Sequence, residues 1–457
     1  MSYRRGLALS GFAMRYLARM KRGRRGVREH LESPSPENLP MPTFVQLRVT
    51  NLCNLRCPMC GQWGDTGIYR SDRFPASATD GEGERARIRE LIGLKRQLAL
   101  PDYVKLLDEI APFQPIVSLF GGEPFLYPEI LPLVREVKKR GMTCTVITNG
   151  GRLEQNAREL VEAGIDSIAV SIDGPPEVHN RIRGQADSFE RAAAGVRAIA
   201  RWRVELGRPL PMLIAIVPIT ELNLTEIGPA VEALRELPLD TINVGLRWFV
   251  PKEAGARYEH VMKETFGVRA ESWKGFDFEW RNGENAGSDP VGGLTPDHTR
   301  HMTDLVKLLK SLRRRRLLDS AVGKPWISFV PQVRPEKVPE YFSDFNQVFG
   351  HELCPVAWYF AQVEPDGEVC FCGDFPDYFI GNVRKEAFAD IWRGEKAQRF
   401  RAKLAKEPLP ICNRCCGSYV YGKFSRPGRA LPRRHPERSE GSLPEPPEDS
   451  SALRASE

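Results

Sequence analysis

From residue 44 to residue 249 the chain alternates short apolar runs with segments whose apolar positions recur at helical spacing. The runs fall at 44–49, 115–120, 143–148, 165–172, 211–217 and 240–249, each of strand length. Helical patterns lie between them, at 102–110, 128–140 and 153–163. In the last of these, Leu153, Ala157, Leu160, Val161 and Ala163 share one face. Strands that alternate with helices predict an α/β fold on a parallel sheet.

Two stretches break the rhythm. Residues 64–96 are polar and glycine-rich, with the charged run 82–87, and read as an insertion or surface loop. Residues 251–345 hold Trp273, Phe276, Phe278, Trp280 and Trp326, with four consecutive arginines, Arg313 to Arg316. Aromatics beside basic residues can mark nucleic-acid binding. Here the arginines follow Met302, Leu305, Leu308, Leu309 and Leu312, which form one helix face. Cations at a helix C-terminus favour its dipole, so an amphipathic helix is the better reading and no nucleic acid is expected.

A chain of 457 residues with 41% hydrophobic content can build two or three domains around a substantial core. The net charge is +7, and much of it lies in residues 1–28, which contain nine Lys or Arg and no acid. Leu9, Phe12, Ala13, Tyr16, Leu17 and Met20 form an apolar stripe there, with Arg4, Arg15, Arg19 and Arg22 opposite. Such a helix can lie on an anionic membrane or dock on the protein's own barrel. It is too short and too charged to span a bilayer, and no signal peptide is evident, so a cytoplasmic, possibly membrane-associated protein is expected. Residues 425–457 are rich in Pro, Ser, Arg and Glu and read as a disordered tail.

The chemistry sits in the ten cysteines. Cys53, Cys57 and Cys60 follow the first apolar run with gaps of three and two residues. Structural zinc sites usually come as two separated pairs, which this trio fits poorly. Disulfides are disfavoured in a cytosolic chain. Three thiolates on one loop suit a [4Fe–4S] cluster whose fourth iron is left open to a ligand. Cys144 lies inside an apolar strand and reads as a core thiol.

This loop resembles the C-x3-C-x-Φ-C signature of the radical S-adenosylmethionine (SAM) enzymes, with Met59 in place of the usual aromatic. The resemblance continues downstream. Gly121-Gly122-Glu123-Pro124 is similar to the family's GGE-P motif at a strand end, and Asn149 follows the next strand. Ser171 to Gly184 resembles its S-x-D-G…H-x-x-R-x-G stretch. The resemblance implies a partial (β/α)6 TIM-like barrel, with residues 41–250 as the core. It implies that Cys53, Cys57 and Cys60 hold a cluster whose open iron takes SAM. Gly121, Gly122, Glu123, Asn149, Ser171, Asp173, Arg183 and the region of Leu246 would then contact SAM, and Met59 would pack beside its adenine. One electron cleaves SAM to a 5′-deoxyadenosyl radical that takes hydrogen from a substrate. Asn223 also stands where the family often has an asparagine.

Six further cysteines, Cys354, Cys370, Cys372, Cys412, Cys415 and Cys416, occupy the last third of the chain. Residues 363–372 read as strand, Pro-Asp-Gly turn, strand, which brings cysteine-bearing edges together. Four thiolates in two pairs also suit zinc. The segments around Pro365-Asp366-Gly367, Ile380-Gly381-Asn382 and Cys412-x2-Cys415 resemble the SPASM/twitch extension of radical SAM enzymes. That resemblance implies a small α+β domain at 346–424 with one auxiliary [4Fe–4S] cluster. Its ligands would be Cys354, Cys372, Cys412 and Cys415, with Cys370 or Cys416 as substitutes. Residues 1–40 form the basic segment and 251–345 a linker with possible substrate contacts. The expected partners are an unidentified small-molecule, sugar, lipid-linked or peptide substrate and a reductant such as flavodoxin or ferredoxin. The rival reading is a zinc-stabilised nucleic-acid-binding protein without redox activity.

Overall fold

The computed structural model describes residues 3–64, 67–69, 97–277, 296–420 and 424. All six apolar runs form strands: β1 (Phe44–Thr50), β2 (Ile116–Gly121), β3 (Thr143–Thr148), β4 (Ser167–Ser171), β5 (Met212–Ile219) and β6 (Thr241–Leu246). They pair in parallel in chain order, so that Leu47 lies opposite Leu119 and Val146 opposite Ile168. Helix Leu153–Ala163 buries Leu153, Ala157, Leu160 and Val161, the face its spacing predicts. It stops at Gly164, whose φ of 77° is left-handed and suits a residue without Cβ.

The sheet runs further than those six strands. β7 (Trp326–Val330), from the predicted linker, pairs in parallel with β6. β8 (Phe360–Val363) pairs in parallel with β1 on the other side, Val45 opposite Ala361. β9 (Glu368–Cys370) and β10 (Phe379–Asn382) add antiparallel edges, giving ten strands in the order β10-β9-β8-β1-β2-β3-β4-β5-β6-β7. This is the expected α/β barrel-like sheet, unclosed, with a small strand-and-helix unit at its carboxyl-terminal end. A five-residue strand such as Trp326–Val330 has too little local signal to be read alone. Its pairing with β6 decides it.

The amino-terminal helix Tyr3–Glu32 packs under the barrel. Phe12 and Val27 are buried, and Tyr16 meets Phe44 edge-on at 6.1 Å. The Tyr359 hydroxyl donates to the Met20 carbonyl at 3.0 Å, and Arg19 donates to Thr143 Oγ1 at 2.7 Å. A Cβ on Gly23 would stand 1.9 Å from Thr43 Oγ1, so the close crossing requires glycine. Of the predicted stripe, Phe12, Tyr16 and Met20 therefore serve the protein's own barrel. Leu17 does not: it is 62% exposed. Among the described residues no helix is long and apolar enough to cross a membrane.

In helix Pro296–Ala321, Met302, Leu305, Leu309 and Leu312 are buried as the spacing predicts. Arg313 and Arg316 lie over the Phe329 and Trp326 rings, each at 5.1 Å. Much of the arginine run is thus engaged within the protein. The charged run 82–87, Phe278, Trp280 and the tail 425–457 lie outside the described residues.

Candidate active site

Close backbone contact builds the site. After β2 the chain turns back onto the cysteine loop, where Gly122 N–H donates to the Thr50 carbonyl at 2.9 Å and Glu123 N–H to that of Leu52 at 2.7 Å. A Cβ on Gly121 would lie 2.2 Å from Thr50 O, and one on Gly122 2.2 Å from Leu52 O. The two glycines are required by this approach. The loop is further held by Trp63 Nε1, which donates to Asn51 O at 2.6 Å, and by a turn from Cys60 N to Cys57 O at 3.0 Å.

Glu123 is completely buried. Its carboxylate accepts from Thr148 Oγ1 at 2.7 Å, Asn149 N at 2.8 Å and Phe125 N at 3.1 Å. Burial raises its pKa, and these three donors oppose the rise. Glu123 thus fastens the end of β2 to the end of β3. Asn149 Nδ2 in turn donates to Asn54 Oδ1 at 3.0 Å, which ties β3 to the cysteine loop.

The segment after β4 is organised around Arg183. Both Asp173 oxygens accept from it, Oδ2 from Nε at 2.5 Å and Oδ1 from Nη2 at 2.9 Å. This is a paired, charge-assisted contact between largely buried groups. Burial, then Arg183, pushes the His179 pKa down to about 4, so the ring is neutral. Its Nδ1 accepts from Asp173 N at 3.0 Å and its Nε2 faces Ser188 Oγ at 3.2 Å. Asn223 Nδ2 donates to Asp173 O at 2.6 Å. Arg183 is left aimed at the cysteines, with Nη1 3.7 Å from Cys57 Sγ.

A cavity of about 250 Å³ results. It is lined by Cys53, Cys57, Met59, Cys60, Phe120, Gly121, Gly122, Thr148, Asn149, Ser171 and Arg183, among others. Burial pushes the Cys53 thiol up to about 12 and also raises Cys57, whose rise Arg183 opposes. Such thiols ionise when a metal takes the proton's place. Three of the predicted residues stand apart from the lining. Asp173 and Glu123 are buried behind it as brackets, and Leu246 lines a small apolar space with Val244, Leu309 and Phe329. Sequence reading missed Thr148, Asn54 and Trp63. Thr148 directly precedes Asn149-Gly150, a strand-end signal that pointed at it.

The second cysteine group is also assembled. Cys354 and Cys412 share a hydrogen bond, and the charges of Cys354, Cys415 and Cys372 all act on Cys412. Among the described residues the tightest group of possible ligand atoms is Asp374, Cys415 and Cys416, all within 4.8 Å of one another. Cys370 Sγ lies 4.0 Å from Glu364 Oε1 and 3.8 Å from Cys372 O. Cys416 Sγ lies 2.8 Å from Asp374 Oδ2. Between the two groups, the buried Arg48 of β1 stands 3.7 Å from Glu364 Oε2 and donates to Tyr69 and Asn51.

A parallel α/β sheet with three thiols at its strand ends and a cysteine-rich appendix defines an iron–sulfur enzyme. Residues 47–228 match the Radical SAM superfamily and residues 354–416 the SPASM iron–sulfur cluster-binding domain, so the chain carries a radical SAM domain followed by a SPASM domain. It is 24% identical to the tungsten-containing aldehyde ferredoxin oxidoreductase cofactor-modifying protein of Pyrococcus furiosus, over 81% of this chain and 86% of that one. It is 22% identical to pre-heme d1 synthase of Dinoroseobacter shibae, over 85% and 82%. The fold is similar to that of Streptococcus suis SuiB bound to its precursor peptide SuiA, with TM-score 0.51, 12% identity, and 87% and 75% coverage.

The enzyme accordingly works with SAM and [4Fe–4S] clusters. The residues present suit them. Three thiols share one cavity, a guanidinium faces them, and Gly121 and Gly122 line the same cavity.

Proposed function

We propose that the chain removes hydrogen from a cofactor precursor and passes the remaining electron to a carboxyl-terminal cluster, a net oxidation. One observation carries this reading. β1, which leads into the Cys53 loop, pairs directly with β8, which lies between Cys354 and Cys372 in the chain, and Arg48 of β1 stands 3.7 Å from Glu364 just after β8. The substrate class is supported by relatives named for cofactor modification and haem synthesis, which align over more than four-fifths of this chain.

In this reading Cys53, Cys57 and Cys60 hold the first cluster, and Cys354, Cys372, Cys412 and Cys415 the second. When bound, the first cluster and SAM supply the electron and the 5′-deoxyadenosyl group that takes the hydrogen. Arg183 binds the SAM carboxylate by paired hydrogen bonds, for which Asp173 orients it. Glu123 holds the end of β3, with Thr148 and Asn149, in place at the cavity wall. Met59 and Phe120 exclude water from it. The electron arrives from a one-electron donor such as flavodoxin or ferredoxin.

The test supplies the anaerobic, iron-loaded enzyme with tetrapyrrole carboxylates deuterated at their propionate side chains. Deuterium in 5′-deoxyadenosine and a product two electrons more oxidised are expected. Turnover with peptides alone would overturn the substrate class. Arg183→Lys replaces a paired contact by a point charge, and is expected to raise KM for SAM about tenfold, read from initial rates. An unchanged KM would remove Arg183 from the SAM site.

A further inference from the structure

Seven large apolar side chains are exposed among the described residues: Met14, Leu17, Val204, Leu222, Leu317, Leu318 and Val322. By their places in the chain, all but Leu222 lie toward the end of the barrel at which the strands begin. Leu317, Leu318 and Val322 close helix Pro296–Ala321, just before β7 opens at Trp326. Val204 closes helix Ser188–Glu205, ahead of β5. In a parallel sheet the connecting helices end where the next strands begin, so these residues share the amino-terminal rim of the strands. Met14 and Leu17, 65% and 62% exposed, lie on the outer side of the helix that crosses this same rim. Its inner side contacts Phe44 and Thr143, the first residues of β1 and β3.

Cations surround these side chains. Arg15, Lys21 and Arg22 are exposed on the amino-terminal helix, Arg208 follows Val204, and Arg314 precedes Leu317. Burial, then Arg22 and, more weakly, Arg15, lowers the Arg19 pKa, a sign of concentrated positive charge. The nearby acids are largely engaged: Glu29 with Arg25, Glu205 with Arg201, Glu236 with Lys324, and Asp166 with Lys138.

We propose that this rim docks on an anionic lipid bilayer. Scattered leucines that can enter the headgroup layer, ringed by cations, match such a surface in both polarity and charge. The cysteine cavity lies at the opposite ends of the strands. Docking therefore leaves it open to the aqueous side, and a water-borne substrate reaches it without crossing lipid. This goes beyond the proposed reaction and does not depend on it.

The test uses the full-length, iron-loaded enzyme in co-sedimentation with vesicles. One set is phosphatidylcholine alone, the other an equal mixture with phosphatidylglycerol. Binding to the mixed vesicles is expected, weakening as salt rises. Leu17→Glu and Leu318→Glu, on separate helices of the rim, should each weaken partitioning about tenfold with iron content unchanged. The paired change Arg15→Glu with Arg22→Glu should remove the preference for anionic lipid. Failure to bind, or equal binding to both vesicle types, overturns the proposal. So does an unchanged Leu318→Glu, or a salt-insensitive dimer that these substitutions dissociate in the absence of vesicle binding.

Discussion

Cys57→Ala is expected to abolish formation of 5′-deoxyadenosine from SAM under dithionite, by at least about a hundredfold. The residue is buried, lines the cavity with Cys53 and Cys60, and is the thiol that Arg183 approaches. Removing it leaves two thiols on the loop, too few to hold a cube with one open iron. Alanine fills less space than cysteine, and the loop keeps its backbone bonds, from Glu123 N to Leu52 O among others. Unfolding is therefore not the expected cause of the loss. Anaerobic iron analysis separates the two, because about four irons per chain should remain at the carboxyl-terminal centre. Continued 5′-deoxyadenosine production by this variant would refute the assignment of the cluster to this loop.

Cys412→Ala should have the opposite signature. Iron falls from about eight to about four per chain, while SAM cleavage at the first centre persists. Oxidised product is lost, because the electron left on the substrate has no acceptor. Cys412 carries this prediction since it is buried and within hydrogen-bond reach of Cys354. Some thermal stability should be lost as well, because a site absent from the unfolded chain contributes its binding energy to folding. Cys370→Ala is the contrasting variant. Its thiol turns toward Glu364, and its iron content should match the unaltered enzyme. If Cys412→Ala kept all its iron, or Cys370→Ala lost half, the ligand set would have to be redrawn.

Much of this was legible in the order of residues. The trio Cys53, Cys57 and Cys60 is a local motif, read through its spacing and its resemblance to the radical SAM signature. Gly121-Gly122 is local too, although the reason for glycine appears only once Thr50 and Leu52 are seen 2.2 Å from where a Cβ would stand. Other residues changed character in three dimensions. The resemblance to the radical SAM motifs assigns Asp173 and Glu123 to SAM contacts. In the fold each is buried and spends its oxygens on the protein, Asp173 on Arg183 and Glu123 on Thr148 and Asn149. No sequence pattern shows which way a strand-end acid turns, since that follows from which donor lies nearby. Leu17 is a similar case. Its place in the apolar stripe fits either a membrane or the barrel, and in the fold it stands outward while Phe12, Tyr16 and Met20 of the same stripe pack on the barrel.

The sequence by itself determined the class of chemistry, the parallel sheet and the positions of both cysteine groups. Those depend on periodicity and spacing between residues close in the chain. Only the tertiary structure decided that β8 lies beside β1 and β7 beside β6. It alone placed Phe12, Tyr16 and Met20 of the first helix against the barrel and left Leu17 outward. These contacts join segments tens to hundreds of residues apart. Their register is set by packing across the whole sheet, a constraint that no short stretch of sequence carries.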